Sequence, residues 1–453
     1  MDEVIVENIL VLFDERKFAQ LRDEIEKMNP ADVAQIFEEI PKRELPLLFR
    51  ILPKELAADT FVEMEPDLQL ELIKSFSDRE LSEVMDEMFV DDTVDMIEEM
   101  PANVVSRILR NTDADTRIAI NDILKYPKDS AGSIMTIEYV ALKRKMTILE
   151  ALSRIRKIGV NSETIYTCYV TENRKLVGLV SVKDLLTSDE NSVIEDIMET
   201  HIIFVDTHED KEEVAKQFQK YDLLAMPVVD TEQRLVGIVT VDDVMDVIVD
   251  ESTEDIEKMA AITPTDKPYL KTGVFETWSK RIPWLLLLMI SATFTGMIIT
   301  KFEAKLAILP ILTSFIPMIM DTGGNSGSQA SVTVIRGLAL EEIEIRDILS
   351  VLWKEIRVAV LCGITLAACN FLKILLIDNM LLGSGISILT AFVVCITLVG
   401  TVFVAKVVGA CMPIVAKCLN FDPAVMASPF ITTIVDALSL LIYFRIATAL
   451  LSL

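Results

Sequence analysis

The 453-residue chain is long enough for two or three domains, and its net charge of −27 is very unevenly placed. Residues 271–453 carry 13 Lys/Arg and 11 Asp/Glu, so the whole acidic excess lies in residues 1–270. An acidic surface of that size repels nucleic acid and anionic lipid, which excludes both as its main partner, and it suits a cation-binding surface.

The opening run MDEVIVENILVLFDERKF has no basic stretch ahead of its apolar residues, so it does not read as a signal peptide. From Asn29 to Met100, Pro30, Pro41, Pro53 and Pro66 recur at spacings of 11, 12 and 13, and Pro101 follows after about three more periods. Segments such as ADVAQIFEEI, KELAADTFVEM and VDDTVDMIEEM place apolar residues at helical spacing. A repeat this short predicts an all-α superhelix of stacked short helices, none able to bury its apolar face alone. Acids crowd it: Asp59, Glu63, Glu65, Asp91, Asp92, Asp95, Glu98 and Glu99. Asp91 and Asp95 share a helix face at i and i+4, where like charges destabilise unless something neutralises them.

Residues 130–250 switch to an α/β pattern that repeats internally. KLVGLVSVKDLL, with Gly178, Ser181 and Asp184, is echoed by RLVGIVTVDDVM, with Gly237, Thr240 and Asp243. A second apolar strand precedes each (IYTCYV, AMPVVD), and each half opens on SIMT or DIMET. Two such copies resemble a paired CBS module. That resemblance implies that Ser181, Asp184, Thr240 and Asp243 are candidates for holding the ribose of ATP or a related nucleotide; a CBS pair without ligand is the alternative. Asp243, Asp246, Asp250, Glu251, Glu254 and Asp255 then stack carboxylates along one helix side. Pro264 and Pro268 mark a joint, Tyr269 to Lys280 reads as a helix near a membrane interface, and Lys280 and Arg281 close the soluble part.

Five apolar spans follow: Ile282–Thr300, Leu306–Ile335, Val358–Ile377, Ile386–Lys417 and Ala424–Leu451. Lys and Arg gather before the first (Lys271, Lys280, Arg281), between the second and third (Arg336, Arg346, Lys354, Arg357) and after the fourth (Lys417). The opposite loops hold Lys301, Lys305 and Lys373, which places the soluble part in the cytoplasm and the C-terminus outside. Of six cysteines, only Cys168 precedes the spans, and no zinc spacing or disulfide framework appears.

Two features within the spans carry chemistry. IPMIMDTGGNSGSQAS, Ile316 to Ser331, clusters helix-weakening and polar residues in a run whose one formal charge is Asp321. The composition predicts a tilted, kinked or interrupted helix, since freed backbone groups survive in a bilayer only against protein or a wet cavity. A packing face of small residues is the plain alternative. Amide and hydroxyl oxygens among the glycines favour an ion path. The second feature is Asp436 in FITTIVDALSLLIYF; a carboxylate near a bilayer centre costs about 3 kcal/mol or more and is by default functional. A structural partner for an intramembrane base, Lys406 above all, is the other reading. One carboxylate beside neutral oxygens suits a largely hydrated Mg2+. An odd number of spans with one short polar break predicts a symmetric dimer with the path near its axis.

The whole chain resembles the MgtE family of magnesium channels and transporters. The resemblance is carried by PMIMDTGGNSGSQ (Pro317–Gln329), FDPAVMASPF (Phe421–Phe430), TTIVDALSLLIYF (Thr432–Phe444), and STEDI with PYL and RIPWL before the first span. It implies a multidomain, non-enzymatic membrane protein of the cell membrane. Its parts are an acidic helical N domain (1–129), a CBS pair (130–250), an acidic connector helix (251–281) and a five-span pore domain (282–453). It implies a homodimer whose Asp436 binds hydrated Mg2+, with Asp422 near a cytosolic mouth site. It further implies sensor sites at Asp59, Asp91, Asp95, Glu212, Asp222, Asp243, Asp246, Glu251, Glu254 and Asp255. Gly323, Gly324, Asn325, Ser328, Gln329 and Asp321 are expected to line the path. The chain departs from the family pattern at Ser439, where a glycine is usual, and at Asp321, where a neutral residue is common. The expected activity is Mg2+ influx that cytosolic Mg2+ shuts off by bridging the acids. The alternatives are an intramembrane hydrolase with Asp321 and Asp436 as a dyad, or a transporter of another divalent cation such as Co2+ or Mn2+.

Overall fold

The computed structural model describes residues 3–265, 267, 269–426 and 428–451; Pro268 of the expected joint and Ala427 of FDPAVMASPF lie outside them. Two compact units result, Met1–Ile248 and Val249–Leu453.

The first unit opens with ten described helices: α1 (Glu3–Asp14), α2 (Phe18–Ile25), α3 (Pro30–Glu39), α4 (Leu45–Phe49), α5 (Lys54–Val62), α6 (Pro66–Ser75), α7 (Asp78–Met85), α8 (Val90–Glu99), α9 (Ala102–Asn111) and α10 (Ala114–Ile123). The proline period sets where several of them start. Pro30 and Pro66 occupy the first turn of α3 and α6, where the missing N–H is not needed, and Pro53 and Pro101 precede α5 and α9. Asn29 and Ser77 cap α3 and α7 with their side chains. Helices this short are marginal alone and gain stability from packing. α3 packs on α5, α5 on α7 and α7 on α9, while α4 meets α6 and α8 meets α10. Phe37, Leu48, Phe61 and Leu72 are fully buried between them.

The α/β part forms two three-stranded sheets. In the first, β1 (Tyr139–Lys143) runs parallel to β2 (Thr164–Glu172), which is antiparallel to β3 (Lys175–Ser181). The second repeats this with β4 (Val205–Asp206), β5 (Ala225–Val229) and β6 (Leu235–Thr240). Helices α11 (Ile148–Ile158), α12 (Val182–Thr187) and α13 (Ile194–Ile197) belong to the first copy, and α14 (Lys211–Tyr221) and α15 (Val241–Met259) to the second. The opening segments are exchanged: Thr136 bridges Ile238 of β6, and Glu199 bridges Leu179 of β3. This exchange explains the shared glycines. A Cβ on Gly178 would meet Met198 Sδ at 2.7 Å, and one on Gly237 would meet Met135 Sδ at the same distance.

α15 runs unbroken through residue 250 to Met259 and ends where Ala261 takes φ +54°. The helix expected over 251–281 is therefore the second half of α15, an irregular stretch, and the start of the next helix. Nothing between Thr240 and Met259 breaks a helix, whereas Pro264 does.

The second unit contains α16 (Val274–Ile308), α17 (Ile316–Ala339), α18 (Ile348–Lys373, continuing as a π-helical turn to Leu381), α19 (Ile388–Cys418) and α20 (Ser428–Leu451). Among the described residues four stretches are long and apolar enough to cross a membrane: Val274–Ile308, Ile345–Leu381, Ile388–Cys418 and Pro423–Leu451. The separate interface helix expected over Tyr269–Lys280 is absent, because α16 is continuous from Val274 through Pro283. The span expected over Leu306–Ile335 is divided by a 3-10 turn at Pro310–Phe315.

α17 is not broken. Its glycines lie on faces that α19 and α20 press against: a Cβ on Gly323 would meet Thr401 and Ser439 at 2.8 Å, and one on Gly327 would meet Ile431 at 2.8 Å. A Cβ on Gly409 of α19 would lie 2.2 Å from the carbonyl oxygen of Gly327. Small residues here let backbones touch, so the expected interruption is replaced by close packing. Gly409→Ala should lower the melting temperature of the purified protein by several degrees, since overpacking typically costs about 1–3 kcal/mol. Parental melting would contradict this contact.

Candidate cation sites

With its glycines turned inward, α17 presents a polar stripe on the opposite face. Asp321, Asn325 and Gln329 recur at i, i+4 and i+8 and are exposed in the chain, and Ser328 is half-buried. Gly323 and Gly324, expected to line a path, are buried against Thr401, Val435, Ser439 and Thr432. Ser439 fits because Gly323 has no side chain.

Asp436 sits half-buried on α20, near enough to Asp321 for the two carboxylates to repel one another. Lys406 does not neutralise it. That lysine is 4% exposed and faces Glu355 of α18 across 3.6 Å. Among the described residues no basic side chain pairs with Asp436, and none pairs with Asp321. Asp422 lies just before the turn into α20; it accepts the Ala424 N–H at 2.8 Å and meets Lys258 Nζ at 2.8 Å.

A second concentration of charge lies within the first unit, where α8 faces both CBS copies. Burial drives the carboxyl of Asp91 up to about 9, with Asp243, Asp92 and Glu163 repelling it. Asp92 rises to about 7 through burial and the charges of Asp243, Asp242, Glu63 and Glu138. Glu163 rises to about 8 through burial, Asp92, Asp242 and Asp243, and its Oε2 is buried without a hydrogen-bond partner. Asp243 is pushed to about 6 by burial, although Thr240 Oγ1 donates to its Oδ2 at 2.6 Å. Asp95 also senses Asp243. Among the described residues no three such side chains converge tightly enough to cage a bare ion. The cluster therefore suits partial neutralisation by hydrated cations. Asp92 stands among the acids of the helical repeat but not among the expected sensor sites, and Glu138, Glu163 and Asp242 carry no signal in the sequence that assigns them to the group. Glu163 directly precedes β2 without any motif, and only the packing of α8 brings it into the group.

The remaining candidates stand apart. Asp59 is exposed, Glu212 pairs with Lys216 at 3.0 Å, and Asp222 is the left-handed residue that closes α14. Asp246 lies near Asp243, Glu251 and Asp255 lie further along α15, and Glu254 pairs with Lys258. In the CBS copies, Ser181 Oγ and Asp184 Oδ2 lie 2.5 Å apart at the start of α12, matching the Thr240–Asp243 pair. Ser181 also caps α12, its Oγ accepting the Asp184 N–H at 3.1 Å.

A bundle with a polar stripe and an unpaired intramembrane carboxylate, joined to an acidic helical domain and a CBS pair, defines a membrane transporter of cations. The comparisons agree. A divalent cation transporter model matches residues 316–446, an MgtE intracellular N domain matches 28–129, and CBS domains match 131–190 and 194–250. The chain is 34% identical to the magnesium transporter MgtE of Thermus thermophilus, covering 100% of this chain and 99% of that one. It is 35% identical to that of Bacillus subtilis, covering 99% and 97%. The crystal structure of the cytosolic domain of the Mg2+ channel MgtE in complex with ATP matches with a TM-score of 0.51 and 34% identity, covering 53% of this chain and 99% of that one. The soluble part of a magnesium transporter matches with a TM-score of 0.52 and 28% identity, covering 55% and 99%. The chain belongs to the MgtE family. Its members are transporters, which removes the hydrolase alternative.

The raised carboxyl values fix a sign. These groups bind protons more tightly when packed than when unfolded, so their contribution is greatest below about pH 4 and is lost as pH climbs toward 9. Without divalent cations, the cytosolic part of the full-length protein should lose protease resistance between about pH 5 and 9. Millimolar Mg2+ should restore it at the alkaline end. Resistance that does not change with pH would contradict the cluster.

Proposed function

We propose that this chain carries Mg2+ into the cell through a path formed by two copies, and that cytosolic Mg2+ closes the path. The observation that carries the reading is Asp436: a carboxylate within the bundle, left without a basic partner because Lys406 is committed to Glu355. An intramembrane charge so placed is stabilised by what passes it. Mg2+ sheds its water reluctantly and is usually held by one or two carboxylates with waters retained. The stripe of Asp321, Asn325 and Gln329 adds further oxygens on a face the chain leaves open, which supports closure by a second copy with the path near a two-fold axis. Counted with the four apolar stretches, α17 makes five crossings, and the basic loops then favour a cytoplasmic N-terminal part and an external C-terminus. The domain division proposed is 1–129, 130–250, 251–281 and 282–453.

Closure follows from the acids. With cytosolic Mg2+ low, repulsion among Asp91, Asp92, Asp95, Glu163, Asp242 and Asp243 loosens α8 from the CBS copies. With Mg2+ high, hydrated ions screen them and the contact tightens. The acids of α15, Asp246, Glu251, Glu254 and Asp255, extend the same response, and we include Asp59, Glu212 and Asp222 as outlying sensor acids. Shifting a two-state equilibrium from 1:99 to 99:1 takes about 5.5 kcal/mol, which several weak sites supply jointly. The ATP complex of the related cytosolic domain supports a nucleotide at Ser181, Asp184 and Thr240. To bind there it must displace the side-chain hydrogen bonds these residues make within the chain.

In sealed proteoliposomes with a trapped fluorescent indicator, the parent protein should admit Mg2+ and Asp436→Ala should lose at least nine-tenths of the rate. Equal rates would remove Asp436 from the path. Asp321→Asn should alter the rate severalfold without abolishing it; complete loss would assign Asp321 the main ion site instead. Neutralising Asp91, Asp95 and Asp243 together should leave transport active at cytosolic Mg2+ that silences the parent, and undiminished inhibition would exclude the sensor role.

A further inference from the structure

We propose that Lys258 is a built-in cation that docks the end of α15 onto the turn leading into α20, at the position where the family resemblance places a metal ion. Its ammonium meets Asp422 Oδ2 at 2.8 Å and pairs with Glu254 one turn back on its own helix. Two acids expected to bind metal are thus already served by a tethered positive charge. Partial burial works against the charged amine, but the hydrogen bonds to Asp422 and Glu254 outweigh it and hold Lys258 protonated.

The consequence runs through Asp422. Its other oxygen, Oδ1, accepts the Ala424 N–H at 2.8 Å and so shapes the turn Pro423–Met426. The carbonyl of Met426 accepts a hydrogen bond from Ser331 Oγ of α17 at 3.3 Å, and the turn feeds α20, which bears Asp436. One ion pair therefore connects the end of α15 to α17, which bears Asp321, and to α20, which bears Asp436. The irregular segment after α15 is tied at the same level: Thr265 N–H donates to Glu257 Oε2 at 3.0 Å, and Lys280 Nζ donates to the carbonyl of Pro264 at 2.7 Å. The end of α15 is consequently held against the start of α16 and cannot shift alone.

The inference rests on the gating reading above. There, docking of α15 belongs to the closed arrangement, and Mg2+ supplies part of what holds it. Lys258 supplies another part at every Mg2+ concentration. Removing its charge leaves Glu254 and Asp422 facing each other unneutralised, which weakens docking and raises the Mg2+ needed for closure. Lys258 touches none of the residues expected to line the path and reaches only Asp422, near its cytosolic mouth, so it acts as a positioning residue and conduction at low cytosolic Mg2+ is spared.

The test uses full-length protein in vesicles with the cytosolic part facing the bath, following efflux of trapped radioactive Mg2+ while bath Mg2+ is varied. Lys258→Met should raise the half-inhibiting concentration about three- to tenfold, in keeping with a partly exposed ion pair with two partners, with maximal efflux unchanged. Lys258→Arg, which keeps the charge, should match the parent. Should the methionine variant purify poorly, Lys258→Gln carries the same expectation. A half-inhibiting concentration that stays the same or falls in the uncharged variants overturns the proposal while inhibition of the parent stands. A parent insensitive to bath Mg2+ overturns the gating reading, and the inference with it.

Discussion

The bundle depends on how closely α17 approaches its neighbours. A helix bearing a carboxylate, two carboxamides and several hydroxyls packs apolar side chains at its ends, Ile319 at one and Val334 and Leu338 at the other, and is held between them by backbone-level contact. Gly323, Gly327 and Gly409 supply that contact, bringing α17 against α19 and α20 to distances that a single added methyl group would prevent. Tyr443 on α20 reinforces the arrangement by donating its buried hydroxyl to the carbonyl of Leu312, just ahead of α17. Because every face of α17 but one is so occupied, Asp321, Asn325 and Gln329 emerge together on the remaining one. The polar stripe and the small-residue packing are thus a single design: one is the back of the other.

Charge is handled differently in the two units. Within the bundle, potential competitors for Asp436 are bound elsewhere, Lys406 by Glu355 and Lys373 by Asp378 at 2.8 Å. Pairing these lysines, the buried Lys406 and the exposed Lys373, with local acids leaves Asp436 without a basic partner among the described residues, as the proposed cation path requires. In the first unit the opposite policy holds: Asp91, Asp92, Glu163 and Asp243 of α8 and both CBS copies are packed together, and Lys128 answers only Glu98 at the end of α8, at 3.0 Å. An arrangement that repels itself is sensitive to whatever neutralises it, which is the property the proposed sensor needs.

Much of this was legible in the sequence where one-dimensional chemistry dictates the outcome. The proline period marks helix starts because proline fits the first turn and little else. The duplicated G-x-x-[ST]-x-x-D segment announces two related sheets, and a lone Asp in an apolar run announces a buried charge. What was not legible depends on partners distant in sequence. Composition alone suggested that Thr322 to Gln329 would unwind, since nothing in one dimension shows that Gly409 lies against Gly327. Glu163 and Glu138 join the acidic cluster only through the packing of α8. Lys258 is one more charge on an acidic helix until Asp422, more than 160 residues later, comes within 2.8 Å of it.

Thiol accessibility tests most directly whether the open face of α17 lines the proposed path of the cation. In a background whose native cysteines have been replaced, cysteine is placed singly at each α17 position from Asp321 to Gln329 and challenged with a water-soluble, positively charged thiol reagent. The account predicts modification at 321, 325 and 329, with block of Mg2+ entry and protection by Mg2+, and none at 323, 324 or 327. Reaction at the glycine positions, or silence at all three polar ones, would show that the path runs elsewhere.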